Sequence, residues 1–336
     1  MPATSPLLKE GRYSIEQEFS DADNVSRFQA FDTVSEAAVT IVEIPVRLPK
    51  VATAAQREAM NKAFDEQATA LAKFGHKSLL AIKDHFTEAG RHYVVADLVD
   101  GLDLETELAS RKVPFSTSEV VEWTDSVLEA LNSLHQSRPP VLFKAMQPAN
   151  LILKSDKTLG LMMSAAVACG EPSASDDAVA YAPLEQLWSG LDAASQKVII
   201  NKYDEASERI LKQDCDARSD IYSLGATLYH LVTGRRPVDV LERSIEIIEG
   251  NADPLKSPHK VDPSIPPEIS DVIMKAMEIK REYRFDSAAI MRQVLKTALV
   301  RVKEREEEEA AELQEAANDL KLAALGQPEQ AETPSV

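Results

Sequence analysis

The sequence predicts an α+β fold of two unequal lobes: a β-rich first lobe with one main helix, then a mostly helical second lobe, with an acidic helix after it. Three observations carry this. Up to about residue 97, short apolar runs of strand length alternate around one long run of helical period. After Asp100-Gly101 the apolar residues fall at spacings of three and four, as in packed helices. Beyond residue 300 the chain turns to Lys303-Glu304-Arg305-Glu306-Glu307-Glu308-Glu309, then Leu313, Ala316, Ala317, Leu320 and Ala324 at heptad-like spacing.

Residues 1–10 read as an N-terminal tail and residues 11–100 as the first lobe. Strands are expected at 13–19, 26–32, 38–46, 80–86 and 91–98. The helix is expected over about 53–74, where Met60, Phe64, Ala68, Leu71 and Phe74 share one face. A hinge at about 97–101 leads into the second lobe, residues 101–300, with helices at 116–135, 221–233, 267–280 and 286–303. Within it, 187–216 reads as an insertion, helical over 204–212. Residues 301–325 form the acidic helix, and 301–336 carry 4 basic and 10 acidic residues. Residues 326–336, with two prolines, read as a disordered tail.

With 336 residues, 44% of them apolar, the chain has the material for a large core. Its 55 acidic and 37 basic residues give a net charge of -18, which opposes binding to a phosphate backbone, so no nucleic-acid partner is expected. No long uninterrupted apolar run and no signal-peptide pattern occur, so the expected location is cytoplasmic with no membrane partner. The two cysteines, Cys169 and Cys215, fit a reducing compartment, and no metal-ligand spacing surrounds them. The six histidines share no spacing of the kind a metal site needs.

Four stretches bear on function. The run Ala217-Arg218-Ser219-Asp220-Ile221-Tyr222-Ser223-Leu224-Gly225-Ala226-Thr227-Leu228-Tyr229-His230-Leu231-Val232-Thr233-Gly234 closely resembles the central second-lobe helix of bacterial Ser/Thr protein kinases. Ala182-Pro183-Leu184-Glu185-Gln186 is similar to that family's A-P-E-Q motif with one Leu inserted. Tyr283-Arg284-Phe285 fits the late segment whose Arg pairs with the motif's Glu. Phe143-Lys144-Ala145-Met146-Gln147-Pro148-Ala149-Asn150 resembles the catalytic loop H-R-D-x-x-x-x-N. The order of elements from Gly11 to about Val300 is similar to a whole kinase domain. The resemblance implies structural roles for Glu185 and Arg284 as an ion pair, and for Asp220 as the acceptor for backbone amides of the catalytic loop.

At the chemical positions the sequence departs from this pattern. Ala145 stands where the family has its catalytic Asp, and an alanine has no oxygen to accept a hydroxyl proton. The Gly-rich loop aligns with Ser20-Asp21-Ala22-Asp23-Asn24-Val25-Ser26-Arg27, in which Ser20, Ala22 and Val25 replace the glycines, and Arg27 replaces the Val that touches adenine. Val39-Thr40-Ile41-Val42 puts Val42 at the phosphate-holding Lys. Gln67 falls at that Lys's Glu partner, while Glu66 reads as a solvated neighbour. Met163 stands at the metal-binding Asp of D-F-G, and a thioether is a poor ligand for Mg2+. Asn150 is retained and is read as a backbone-bonding turn residue. Phe143, Leu71 and Met163 are expected to make a dry packed core.

The resemblance with these losses implies a pseudokinase, a kinase-like domain without catalytic residues that serves as a regulatory or scaffolding module. Expected cofactors are none, with ATP and Mg2+ binding lost. The expected partner is a protein, such as an active kinase or another signalling protein. Two rival readings stay open: an atypical Ser/Thr kinase in which Lys144 or Lys83 rescues nucleotide binding, and a nucleotide sensor that binds ATP without metal.

Overall fold

The first lobe is built on an antiparallel sheet whose central strands are buried on both faces. The computed structural model describes residues 7–20, 26–44, 53–144, 146–162, 179–201 and 203–325. Strands β1 (Leu7–Leu8), β2 (Tyr13–Ser20), β3 (Ser26–Asp32), β4 (Ala37–Ile44), β5 (Ile82–Glu88) and β6 (Arg91–Asp97) form one antiparallel sheet in the order β1-β2-β3-β4-β6-β5. Tyr13, Phe28, Ala30, Val39, Ile41, Tyr93 and Val95 pack on one face. The alternate residues Val42, Ile44, Val94 and Ala96 face the other way, toward helix α1 (Ala54–Ala72) and the second lobe. Thr53 and Gln56 cap α1 reciprocally, and Phe64 stacks on His92 with ring centroids 4.2 Å apart.

The second lobe opens with β7 (Gly101–Asp103), α2 (Leu104–Ser110) and α3 (Thr117–His135). Strands β8 (Leu151–Lys154) and β9 (Leu159–Leu161) join β7 in a small sheet, β7-β8-β9. Then follow α4 (Leu184–Leu187), α5 (Ala193–Ile200), α6 (Glu205–Leu211), α7 (Ala217–Thr233), α8 (Val240–Glu249), α9 (Pro258–Val261), α10 (Pro267–Ala276) and α11 (Ala288–Leu325). Helix α7 is the axis of this lobe, with residues 219–233 all buried. Gly225 permits a close crossing, because a Cβ there would lie 2.8 Å from the Ala276 side chain. Gly234, at φ 65°, ends the helix in the left-handed conformation. Among the described residues, no helix is long and apolar enough to cross a membrane.

Several element boundaries differ from the sequence reading, and for four of them the reason is identifiable. Residues 7–10 do not belong to a tail: Leu7 and Leu8 pair with β2, and Lys9 binds Asp84 at 2.6 Å. The strand expected at 80–86 starts at Ile82, because Leu79 and Leu80 give their backbone to Leu161 of β9. The helix expected over 267–280 ends at Ala276. The carbonyls that follow are taken by guanidinium donors, Met277 by Arg243 at 2.9 Å and Glu278 and Ile279 by Arg284 at 2.7 and 2.9 Å. The helix expected over 286–303 and the acidic helix of 301–325 are one element, α11, since no Gly or Pro interrupts residues 288–325. Within residues 187–216, α5 and α6 bury Ile199, Ser207 and Leu211 against the body of the lobe.

The described side chains of α11 beyond Arg305 are exposed through Asn318, and Arg305 itself bonds Glu268 at 3.0 Å. Those outer turns therefore add little apolar burial to the fold. Deleting residues 310–336 is expected to shift the melting temperature by no more than about 2 °C. Differential scanning calorimetry checks this, and a larger loss would make the outer helix part of the core's support.

Candidate functional site

The segment from Val141 to Asn150 takes its shape from α7. Asp220, fully buried on the first turn of that helix, accepts hydrogen bonds from the backbone amides of Phe143 and Lys144, each at 2.7 Å, and lies 2.8 Å from His135 Nε2. Lys144 sits at φ 57°, a left-handed conformation costly for a residue with a Cβ. It is held on both sides, its amide by Asp220 and its carbonyl by Gln186 Nε2 at 3.0 Å. Two turns further along α7, Thr227 Oγ1 donates to the Met146 carbonyl at 2.9 Å. Phe143 is fully buried and belongs to the same apolar cluster as Leu71. Ala145 and Met163 lie outside the described residues.

Asn150 closes the segment. Its amide bonds the Gln147 carbonyl and its own carbonyl accepts the amide of Met162, both at 2.9 Å. The side chain is buried.

A second anchor ties α4 to the end of the lobe. Arg284 grips Glu185 with two nitrogens, at 2.6 and 3.2 Å, and both side chains are essentially sealed from solvent. Ser219 Oγ adds a bond to Glu185 at 2.8 Å, and Arg284 also binds the Arg218 carbonyl at 3.1 Å. Burial pushes the Glu185 carboxyl up, but the Arg284 guanidinium and the Ser219 hydroxyl more than offset this and hold it below the usual carboxylate range. Nearby Cys215 is free, and burial raises its thiol. Cys169 lies outside the described residues.

Between the lobes, Val42, Leu80, Ala96, Ile152 and Met162 form one buried apolar cluster, with Val99 packed against it. Val42 is thus a core residue contacting both lobes. Arg27 faces it directly across the β3–β4 ladder. The Arg27 side chain is buried, forms an ion pair with Asp103 at 3.4 Å and donates to the Ala149 carbonyl. Behind the cluster, the Leu80 amide bonds the Leu161 carbonyl at 3.0 Å and the Leu161 amide bonds the Ser78 carbonyl at 2.6 Å.

The remaining candidate residues are dispersed. Ser20 ends β2, while Ala22 and Val25 lie outside the described residues. Gln67 lies in α1, and Glu66 is exposed beside Lys62 at 3.8 Å. Lys83 is paired with Asp97 on the rim. Sequence reading missed the contacts of Gln186 and His135 with the catalytic-like loop and the partners of Arg27. An Arg in place of a small apolar residue beside a cleft was the available signal for the last.

The protein kinase domain family matches residues 45–298, and the chain belongs to that family. Bacterial kinases are among its relatives. It is 25% identical over 239 residues to the serine/threonine-protein kinase Pkn1 of Myxococcus xanthus, covering 70% of this chain and 32% of that protein. With the probable serine/threonine-protein kinase SCO3848 of Streptomyces coelicolor it shares 27% over 235 residues, covering 68% of this chain and 32% of the relative. The chain thus spans about a third of the length of these curated relatives. Among solved structures, the kinase domain of Mycobacterium tuberculosis PknI superposes with a TM-score of 0.62 at 17% identity, covering 89% of this chain and 99% of that one. The fold is the two-lobed kinase fold.

Both anchors predict measurable losses. Asp220→Ala strands two buried amides and is expected to cost about 2 to 4 kcal/mol in urea unfolding. Glu185→Ala and Arg284→Ala should each cost about 3 to 5 kcal/mol, and the double variant less than the sum, since one deletion removes the charge that the other strands. The Glu185 carboxyl titrates lower in the folded than in the unfolded chain. Its contribution is therefore full above the unfolded value and lost as pH falls through the folded one. Glu185→Gln should flatten the acid limb of the stability profile, and an unchanged slope in unfolding from pH 6 to 3 would count against the pair.

Proposed function

We propose that this chain is a pseudokinase, a kinase-family domain that binds a protein partner as a regulatory or scaffolding module and transfers no phosphate. The observation that carries the reading is the filling of the cleft between the lobes. Val42, at the position of the phosphate-holding Lys, is buried with Leu80, Ala96, Ile152 and Met162, and Arg27, at the position of the adenine-contacting Val, lies buried beside them with its guanidinium bonded to the second lobe. A nucleotide with its metal does not fit this set of residues. A triphosphate would meet Val42 where the family has its Lys, the neighbouring Arg27 cation is already engaged by Asp103 and the Ala149 carbonyl, and the sequence offers Met163 and Ala145 where the metal and the proton need carboxylates.

Phosphoryl transfer draws its rate mainly from positioning and charge stabilisation. Losing several such contributions of about 3 kcal/mol each leaves negligible turnover. The scaffold residues Asp220, Glu185 and Arg284 meanwhile keep tight, buried geometry. Retention of shape without the chemical groups favours a binding role over catalysis. The partner is a protein, with an active kinase or another signalling protein as the class to test first.

A thermal-shift titration with ATP, with and without Mg2+, tests the reading together with an autophosphorylation assay. The expected result is a shift below about 1 °C at millimolar nucleotide and no labelled phosphate incorporated. A shift that needs Mg2+, with incorporation, supports the atypical kinase, and a metal-independent shift without incorporation supports the nucleotide sensor. Restoring Val42→Lys, Ala145→Asp and Met163→Asp together is expected to leave turnover absent, because Arg27 still occupies the cleft.

A further inference from the structure

We propose that Arg27 is an internal clasp that fixes the spacing of the two lobes, so that this cleft is closed by the chain's own side chain and needs no ligand to hold it. Strand alternation places Arg27 on the face of β3 that looks into the cleft, opposite Val42. From there the guanidinium reaches two groups of the second lobe 76 and 122 residues away in sequence, the Asp103 carboxylate at 3.4 Å and the Ala149 carbonyl. Asp103 is also the cap of α2, accepting from the Thr106 amide at 2.8 Å, and Ala149 lies in the turn that leads into β8. One side chain therefore joins the large sheet, the small sheet and the catalytic-like loop.

The surroundings make this contact consequential. Arg27 is 8% exposed, so its charge-assisted bonds are sheltered from competing water. At the rear of the cleft the lobes are stitched by backbone bonds between residues 78–80 and Leu161. These bonds and the apolar cluster that runs from α1 into the second lobe hold the β5–β6 side of the sheet, whereas Arg27 ties β3, on the other side of β4, to the second lobe. The inference deepens the scaffold reading: a binding surface that spans both lobes keeps one shape only while their spacing is fixed.

The test uses the full chain without nucleotide. Spin labels at Val34 and Val113, both highly exposed and on opposite lobes, report the interlobe distance in a background where Cys169 and Cys215 are serine. Two variants release the clasp by different routes. Arg27→Met keeps the stem and deletes the guanidinium. Asp103→Asn removes the charge while keeping an oxygen to cap α2. The parent should give one narrow distance distribution, and both variants a distribution broader by about twofold or more. Amide exchange over residues 148–154 should rise about tenfold in each, with α7 unchanged.

Parent-like widths and exchange in both variants would overturn the clasp. If Arg27→Met also accelerates exchange in α7, that variant has lost global stability, and Asp103→Asn alone decides, since its substitution leaves the apolar cluster intact. Nucleotide binding by the parent would refute the pseudokinase reading without touching this measurement, and the two failures are distinguishable for that reason.

Discussion

A single buried carboxylate sets the shape of the site. Asp220 lies at the start of a helix whose inner residues are wholly enclosed, and it presents both oxygens to consecutive amides of the facing loop. Lys144 could not hold its left-handed backbone without such a fixed acceptor, because the conformation is unfavourable for any residue with a side chain. Thr227 and Gln186 extend the same control to the neighbouring carbonyls. The geometry of Phe143, Lys144 and Met146 is thus imposed from the core outward.

Scaffold and chemistry occupy different layers of the molecule. The ion pair of Glu185 and Arg284 and the Asp220 contacts all point into the second lobe's interior, where removing one partner leaves an uncompensated group. The positions that would meet a nucleotide line the surface between the lobes, where an apolar side chain is tolerated and even favoured once the space is dry. Substitutions there exchange one kind of packing for another. The first layer constrains folding and the second ligand chemistry, so the kinase fold accommodates a buried Val42 and Arg27 between its lobes.

Much of this was legible in the amino-acid sequence. The strands followed from short apolar runs of strand length, and α7 from a long matching run that few other sequences would produce. Helix α11 was divided in two because its apolar spacing changes near residue 303 although its helix propensity does not. The end of α10 was misjudged because its competitors are donors from Arg243 and Arg284, which no local pattern reveals. Arg27 was read as a replacement for the Val that touches adenine, and its own partners were invisible because Asp103 lies 76 residues away. Leu7 and Leu8 form too short a strand to show a period.

Helix α11 also has a mechanical side. It packs against α3 through the bonds of Arg292 to Asp125, both at 2.6 Å, and then runs on as the same rod past Val302 to Leu325. At 1.5 Å per residue the outer part is about 35 Å long. A transverse load applied at its far end acts on the seated turns through that whole length as a lever arm. The same force applied beside Val302 would produce almost no torque on α3, so the reach of the helix, more than its chemistry, determines how strongly the second lobe feels a pull.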